Sequence, residues 1–234
     1  MIKFLVPAFY AVVAAAMLWL VALWLGTRLK MRRRHRAVKV LLGIATAILL
    51  FLPVDGVPIW NRAFSFYPNP SLPMLGIVCA ALWQRMFGVP VFKPADWRAT
   101  WVFGAVVGSA LYLHPLLFGA IDLYYWGWER VNAAACLAGL AIVFLACGNR
   151  LGVLLLAALV AHAVDALESQ NCWDYIMDPF FWLICTVMLG VRAVEWLAQR
   201  MRLRGERDIL PGRAVALGVG AEPVEKPLAS SRAA

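Results

Sequence analysis

The apolar residues of this chain gather into long runs, parted by short segments of charge, proline or aromatic side chains, and this spacing limits its architecture more than any motif does. A helix needs about 20 apolar residues to cross a hydrocarbon core of about 30 Å. Runs at 4–25, 40–52, 99–118, 131–147, 151–167 and 180–197 meet or approach that length. With 63% hydrophobic and only 15% charged residues in 234, most of the chain cannot be the interior of a soluble domain. The expected fold class is all-α, a polytopic transmembrane helical bundle.

Charge orients the runs. Arg28, Lys30, Arg32, Arg33, Arg34, Arg36 and Lys39 follow the first run, whereas Lys3 alone precedes it. A cleaved signal peptide has its positive charge before a shorter apolar region, so this run reads as a span, with its basic block cytoplasmic and the N-terminus outside. The second run can continue as far as Trp60, although Pro53, Asp55, Gly56 and Pro58 break its end. Residues 53–73 hold five prolines and the aromatics Trp60, Phe64, Phe66 and Tyr67, a composition that resists regular helix and suits an interface. The segment 74–83 is interrupted by Gln84 and Arg85, short of the about 17 residues a span requires. The scheme therefore gives about seven spans, six if 74–83 is re-entrant, with the C-terminus cytoplasmic. Residues 1–199 form the membrane domain, and 200–234, with Arg200, Arg202, Arg204 and Arg207 followed by Gly, Pro, Ala and Ser, form a basic tail expected to be disordered.

Charges not used to build this scheme agree with it. The outer segments carry Lys3, Arg62 and Arg130 as their basic residues, but Asp55, Asp122, Glu129, Asp165, Glu168, Asp174 and Asp178 as acids, seven of the thirteen carboxyls. The net charge of +9 lies in short loops and the tail, so topology explains it without a nucleic-acid partner. Arginine outnumbers lysine 17 to 5, which together with abundant Ala, Leu and Gly points to a GC-rich bacterial genome and hence to the cell inner membrane.

The densest polar stretch runs from His162 to Asp178, at the join of two apolar runs. Titratable groups at the edge of hydrocarbon are a functional-site hypothesis by default. If the helix from Leu151 continues, His162, Asp165 and Ser169 share an arc of about 60°, with Glu168 beyond, and Asp165 lies about 21 Å along the span. A carboxylate there needs His162, Arg130, Arg62 or a cation as partner. His114 is expected at a similar depth. His114, His162, Asp165 and Glu168 are the ligand or proton-binding candidates, and their types suit a divalent ion, while two histidines on different helices could also ligate a haem. No local spacing supports either, so the sequence singles out no cofactor. The competing reading makes these residues interfacial polar groups. Asp178 before Pro179 matches a helix N-cap, Asp174 suits a turn, and Trp173 and Tyr175 suit an aromatic belt. Trp60, Tyr67, Tyr124, Tyr125, Trp126 and Trp128 join them beside the acids, a combination that also fits a cation or a sugar. Arg192 and Glu195, three apart, read as a salt bridge.

The five cysteines contain no CxxC pair, and Cys172 is the one in a loop, so no disulfide framework or thiol-exchange site is indicated. GxxxxGK[ST], GxSxG and HExxH are absent, as is a Gly-rich dinucleotide fingerprint. Three functions stay open: an accessory or scaffold subunit whose acidic, aromatic outer face contacts other inner-membrane subunits or lipid headgroups; a small transporter or cation/proton site using His162, Asp165 and Glu168; and a membrane enzyme acting on a lipid-linked substrate with a carboxylate as general base.

Overall fold

The computed structural model describes residues 2–28, 36–66, 69–113, 122–129 and 132–216. The chain is mostly helical. Its α-helices are α1 (Ile2–Arg28), α2 (Arg36–Phe51), α3 (Ile59–Phe66), α4 (Leu72–Phe87), α5 (Pro94–Tyr112), α6 (Asn132–Ala146), α7 (Leu151–Ala163), α8 (Cys172–Ile176) and α9 (Pro179–Ala216). A two-stranded antiparallel hairpin, β1 (Pro53–Val54) and β2 (Val57–Pro58), and one 3₁₀ turn at Tyr125–Trp128 complete the described elements. The contacts divide the chain into two units, Met1–Leu189 and Gly190–Ala234.

In the first unit α7 is the central rod. Leu151, Leu155 and Ala158 are fully buried along it, and it packs against α4, α5, α6 and α8. Helix α1 packs on α2, α3 and α4. The indole of Trp19 lies against Gly43 of α2 and donates from Nε1 to the Lys39 carbonyl at 2.9 Å. Helix α5 meets the first turns of α9 through Gly104 and Gly108. A Cβ on Gly104 would lie 2.3 Å from Cys185 Sγ, and one on Gly108 2.4 Å from Trp182 Cδ1. This is the small-residue spacing that lets two apolar helices approach backbone to backbone. Trp182 Nε1 then reaches Ser109 Oγ at 3.1 Å.

Two segments, Phe9–Thr27 and Pro179–Arg202, are long and apolar enough to cross a membrane; Leu72–Phe87, Asn132–Ala146 and Leu151–Ala163 are shorter apolar helices. Seven spans are therefore not all matched by helices of spanning length among the described residues. The shortening has local causes. Helix α7 stops at Ala163 in a Schellman motif: Asp165 takes φ 48°, its N–H donates to the His162 carbonyl at 3.1 Å, and Ala166 N–H donates to the Ala161 carbonyl at 2.9 Å. Helix α6 ends the same way at Gly148, φ 64°, with Gly148 N–H on Leu145 O and Asn149 N–H on Phe144 O, both 2.8 Å.

Two further expectations change. Residues 53–66 are regular, with Asp55 and Gly56 at positive φ closing a two-residue hairpin turn. Arg62 of α3 ties back to it, donating to Val54 O at 2.7 Å and pairing with Asp55 at 3.0 Å. The segment 74–83 belongs to a longer helix that continues through Gln84 and Arg85. Ser71 caps α4 by accepting from Met74 N–H, and left-handed Gly88 closes it on the Gln84 carbonyl. Arg85 falls in the last turn, where a cation complements the helix dipole.

In the second unit, the described residues continue as helix through Ala216, so residues 200–216 of the basic tail are helical and 217–234 lie outside the described residues. Arg192 and Glu195 form the expected pair at 3.1 Å, both well exposed, and Arg200 stacks over the Trp196 ring at 4.5 Å.

Candidate functional site

The chain between α7 and α9 folds into a compact polar knot. Because α7 ends at Ala163, Asp165 and Ser169 do not extend a helical stripe from His162. His162 is on the last turn of α7 and is buried, 7% exposed, with its ring edge-on to Tyr175 at 5.0 Å. Asp165 and Glu168 are exposed in the loop that follows. Among the described residues no three His, Cys, Asp or Glu side chains form a group that could hold a metal. His114 lies outside the described residues, as does Arg130.

Tyr175 is not a belt residue. It is fully buried, and its hydroxyl accepts from Leu167 N–H at 3.1 Å and donates to the Ser169 carbonyl at 3.0 Å, holding the loop against α8. Asn171, rather than Asp174, starts α8: its Oδ1 accepts from Trp173 N–H at 3.0 Å. Its Nδ2 donates to the Tyr124 carbonyl, also at 3.0 Å. Asp174 is half-buried and accepts from Tyr124 Oη at 2.8 Å and from Ser169 Oγ. Burial, and then the Asp174 carboxyl beside it, push the Tyr124 hydroxyl well above its ordinary pKa. Trp173 Nε1 donates to Leu123 O at 2.9 Å. The aromatic loop 122–129 is thus stitched to the knot, and Gly127 permits this contact, since a Cβ there would lie 1.8 Å from Asn171 Oδ1. Tyr125, Trp126 and Trp128 remain exposed beside it.

Asp178 does more than cap its own helix. Oδ1 accepts from Phe181 N–H at 2.8 Å, as expected of an N-cap before Pro179. Oδ2 accepts from both the N–H and the hydroxyl of Ser71, at 2.9 and 2.6 Å, so one buried carboxyl joins the starts of α4 and α9. Asp96 has the same role at the other end of α7. Its Oδ2 accepts from Lys93 N–H at 2.8 Å and its Oδ1 from Arg150 N–H at 3.2 Å, joining the starts of α5 and α7. Sequence reasoning missed Ser71 and Asp96. Each had a local signal, a polar residue within two positions of a proline at a helix start, but the partner helix was invisible.

All five cysteines are free. Cys172 is fully enclosed, and burial pushes its thiol up to about 11, which makes it a poor nucleophile at neutral pH.

Fold and site together define a helical protein with two helices able to cross a membrane and a hydrogen-bonded polar knot on one end of its central helix. No family model, curated protein or solved structure matches the chain.

Proposed function

We propose that this chain is a multi-pass protein of a bacterial inner membrane, an accessory or scaffold subunit that docks a partner on the face formed by the knot and the aromatic loop. Leu41, Val106, Ile142 and Val160, on four different helices, are each about 60% exposed, a distribution that suits a lipid surround. With the N-terminus outside and the C-terminus cytoplasmic, the knot faces outward. The docking reading rests chiefly on one observation: the buried carboxyls serve the fold, while Asp165 and Glu168 are exposed in the loop after α7 and Tyr125, Trp126 and Trp128 are exposed on the aromatic loop tied to the same knot. Exposed aromatics and exposed acids on one knot suit recognition better than proton transfer by a shielded group.

The test is a chromosomal Asp165→Asn/Glu168→Gln double variant in the source organism, with affinity purification in mild detergent and quantitative mass spectrometry. The variant should accumulate at the normal level and recover several-fold less of its membrane partners. Normal recovery of partners would sink the docking reading.

A second reading has its own support. His162 lines a groove of about 280 Å³ whose other described walls are Ala134, Ala138, Leu159 and Ala163, room enough for water or a small cation beside an imidazole. In that reading His162→Asn abolishes activity while partner recovery stays normal.

A further inference from the structure

A second groove, of about 380 Å³, runs along the seam between α4 and α7, at the end of α7 opposite the knot. We infer that it holds one acyl chain of an anionic glycerophospholipid, with the lipid phosphate on Arg150. The inference rests on the membrane placement proposed above but not on the docking role, because it concerns the other end of the molecule.

The groove has the polarity gradient of an amphiphile. Cys79 and Trp83 from α4, Val153 and Leu154 from α7 and Phe92 from the intervening chain make its walls apolar, and Arg150 is the charged residue lining it. Arg150 immediately precedes the first turn of α7, and Gly76 of α4 lies against Leu154 one turn further on, so charge is confined to one end. That end is fixed in place, since Asp96 holds the Arg150 N–H at 3.2 Å. The guanidinium is exposed and forms no ion pair or hydrogen bond among the described residues. Both Asp96 oxygens accept from backbone N–H groups, and no acidic side chain lines the groove among the described residues. A second cation stands nearby in the fold: Lys39 Nζ donates to the Arg85 carbonyl, in the last turn of the helix that carries Cys79 and Trp83. Lys93 and Arg98 are exposed at the start of α5, beside Asp96. A basic mouth on an apolar slot between helices at the cytoplasmic side is what an anionic headgroup with its chain requires. A zwitterionic lipid fills the slot equally well but gains less at the mouth.

The experiment uses the full chain in mild detergent, incubated with equal amounts of phosphatidylglycerol and phosphatidylcholine of the same chain length, re-purified, and its retained lipid quantified by mass spectrometry. The natural chain should retain about fivefold more phosphatidylglycerol, the size expected of one basic side chain at a membrane surface. Arg150→Gln keeps the backbone N–H that Asp96 needs and should abolish the preference; Arg150→Lys should restore most of it. Val153→Trp, at an exposed position, should fill the slot and lower retention of both lipids. Equal retention of the two lipids by the natural chain overturns the inference, as do an unchanged preference in Arg150→Gln, failure of Arg150→Lys to restore it, and undiminished retention in Val153→Trp. Failure of the membrane placement itself would register separately, as release of the chain from native membranes by alkaline carbonate.

Discussion

A buried aspartate marks each end of the central helix, and the two do unequal work. Asp178 accepts at least three hydrogen bonds and joins helix starts 107 residues apart, with the Ser71 hydroxyl acting both as donor to it and as cap for α4. Asp96 accepts two, both from backbone N–H groups, and joins helix starts 54 residues apart. Around Asp178 the chain is closed by Tyr175, Ile176 and Phe181, all fully buried. Around Asp96 it stays open, with Arg150 and Lys93 exposed and a groove running away from them. One end is therefore built for rigidity, and the other leaves charge and apolar surface for something outside the chain.

Mutation of the two aspartates measures that inequality. Asp178→Ala leaves the Phe181 and Ser71 donors without partners in a site closed to water, and should cost about 3 kcal/mol. Asp96→Ala removes the acceptor of two backbone N–H groups, one donor fewer than at Asp178, and should cost about 2 kcal/mol. Both are read as shifts in the unfolding midpoint during detergent titration in mixed micelles, followed by tryptophan fluorescence. If Asp96→Ala proves the more damaging, the closed end is not the anchor of the fold.

The same contrast explains what could be read from the sequence. Features that carry their own local chemistry were legible: Asp178 before Pro179 as an N-cap, and the Arg192–Glu195 pair. Partners across space were not, because nothing near Ser71 in the chain announces Asp178, and nothing near Asp96 announces Arg150. Tyr175 was misread for a related reason. An aromatic between two apolar runs looks like a belt residue, and only the fold shows its hydroxyl turned inward onto the loop backbone. Among the candidate site residues, His162 stays at the end of α7, but the stripe drawn through Asp165 dissolves because the helix ends two residues earlier.

That early end has a testable cause. Helices α6 and α7 close with the same pair of hydrogen bonds, yet α6 uses Gly148 at the left-handed position and α7 uses Asp165. Glycine adopts that conformation freely, and Asp and Asn are the side chains that tolerate it best otherwise, so the sequence signal for a helix stop was present at one end and concealed at the other. If the backbone conformation of Asp165 matters to the fold more than its charge, Asp165→Asn should change stability by less than about 0.5 kcal/mol, as for an ordinary surface substitution. Asp165→Val places a β-branched side chain at positive φ and should cost about 1 to 2 kcal/mol in the same unfolding titration. Equal effects from the two substitutions would mean that the carboxyl itself holds the loop; a tolerated valine would mean that α7 runs on past Ala163 and carries Asp165 on its surface.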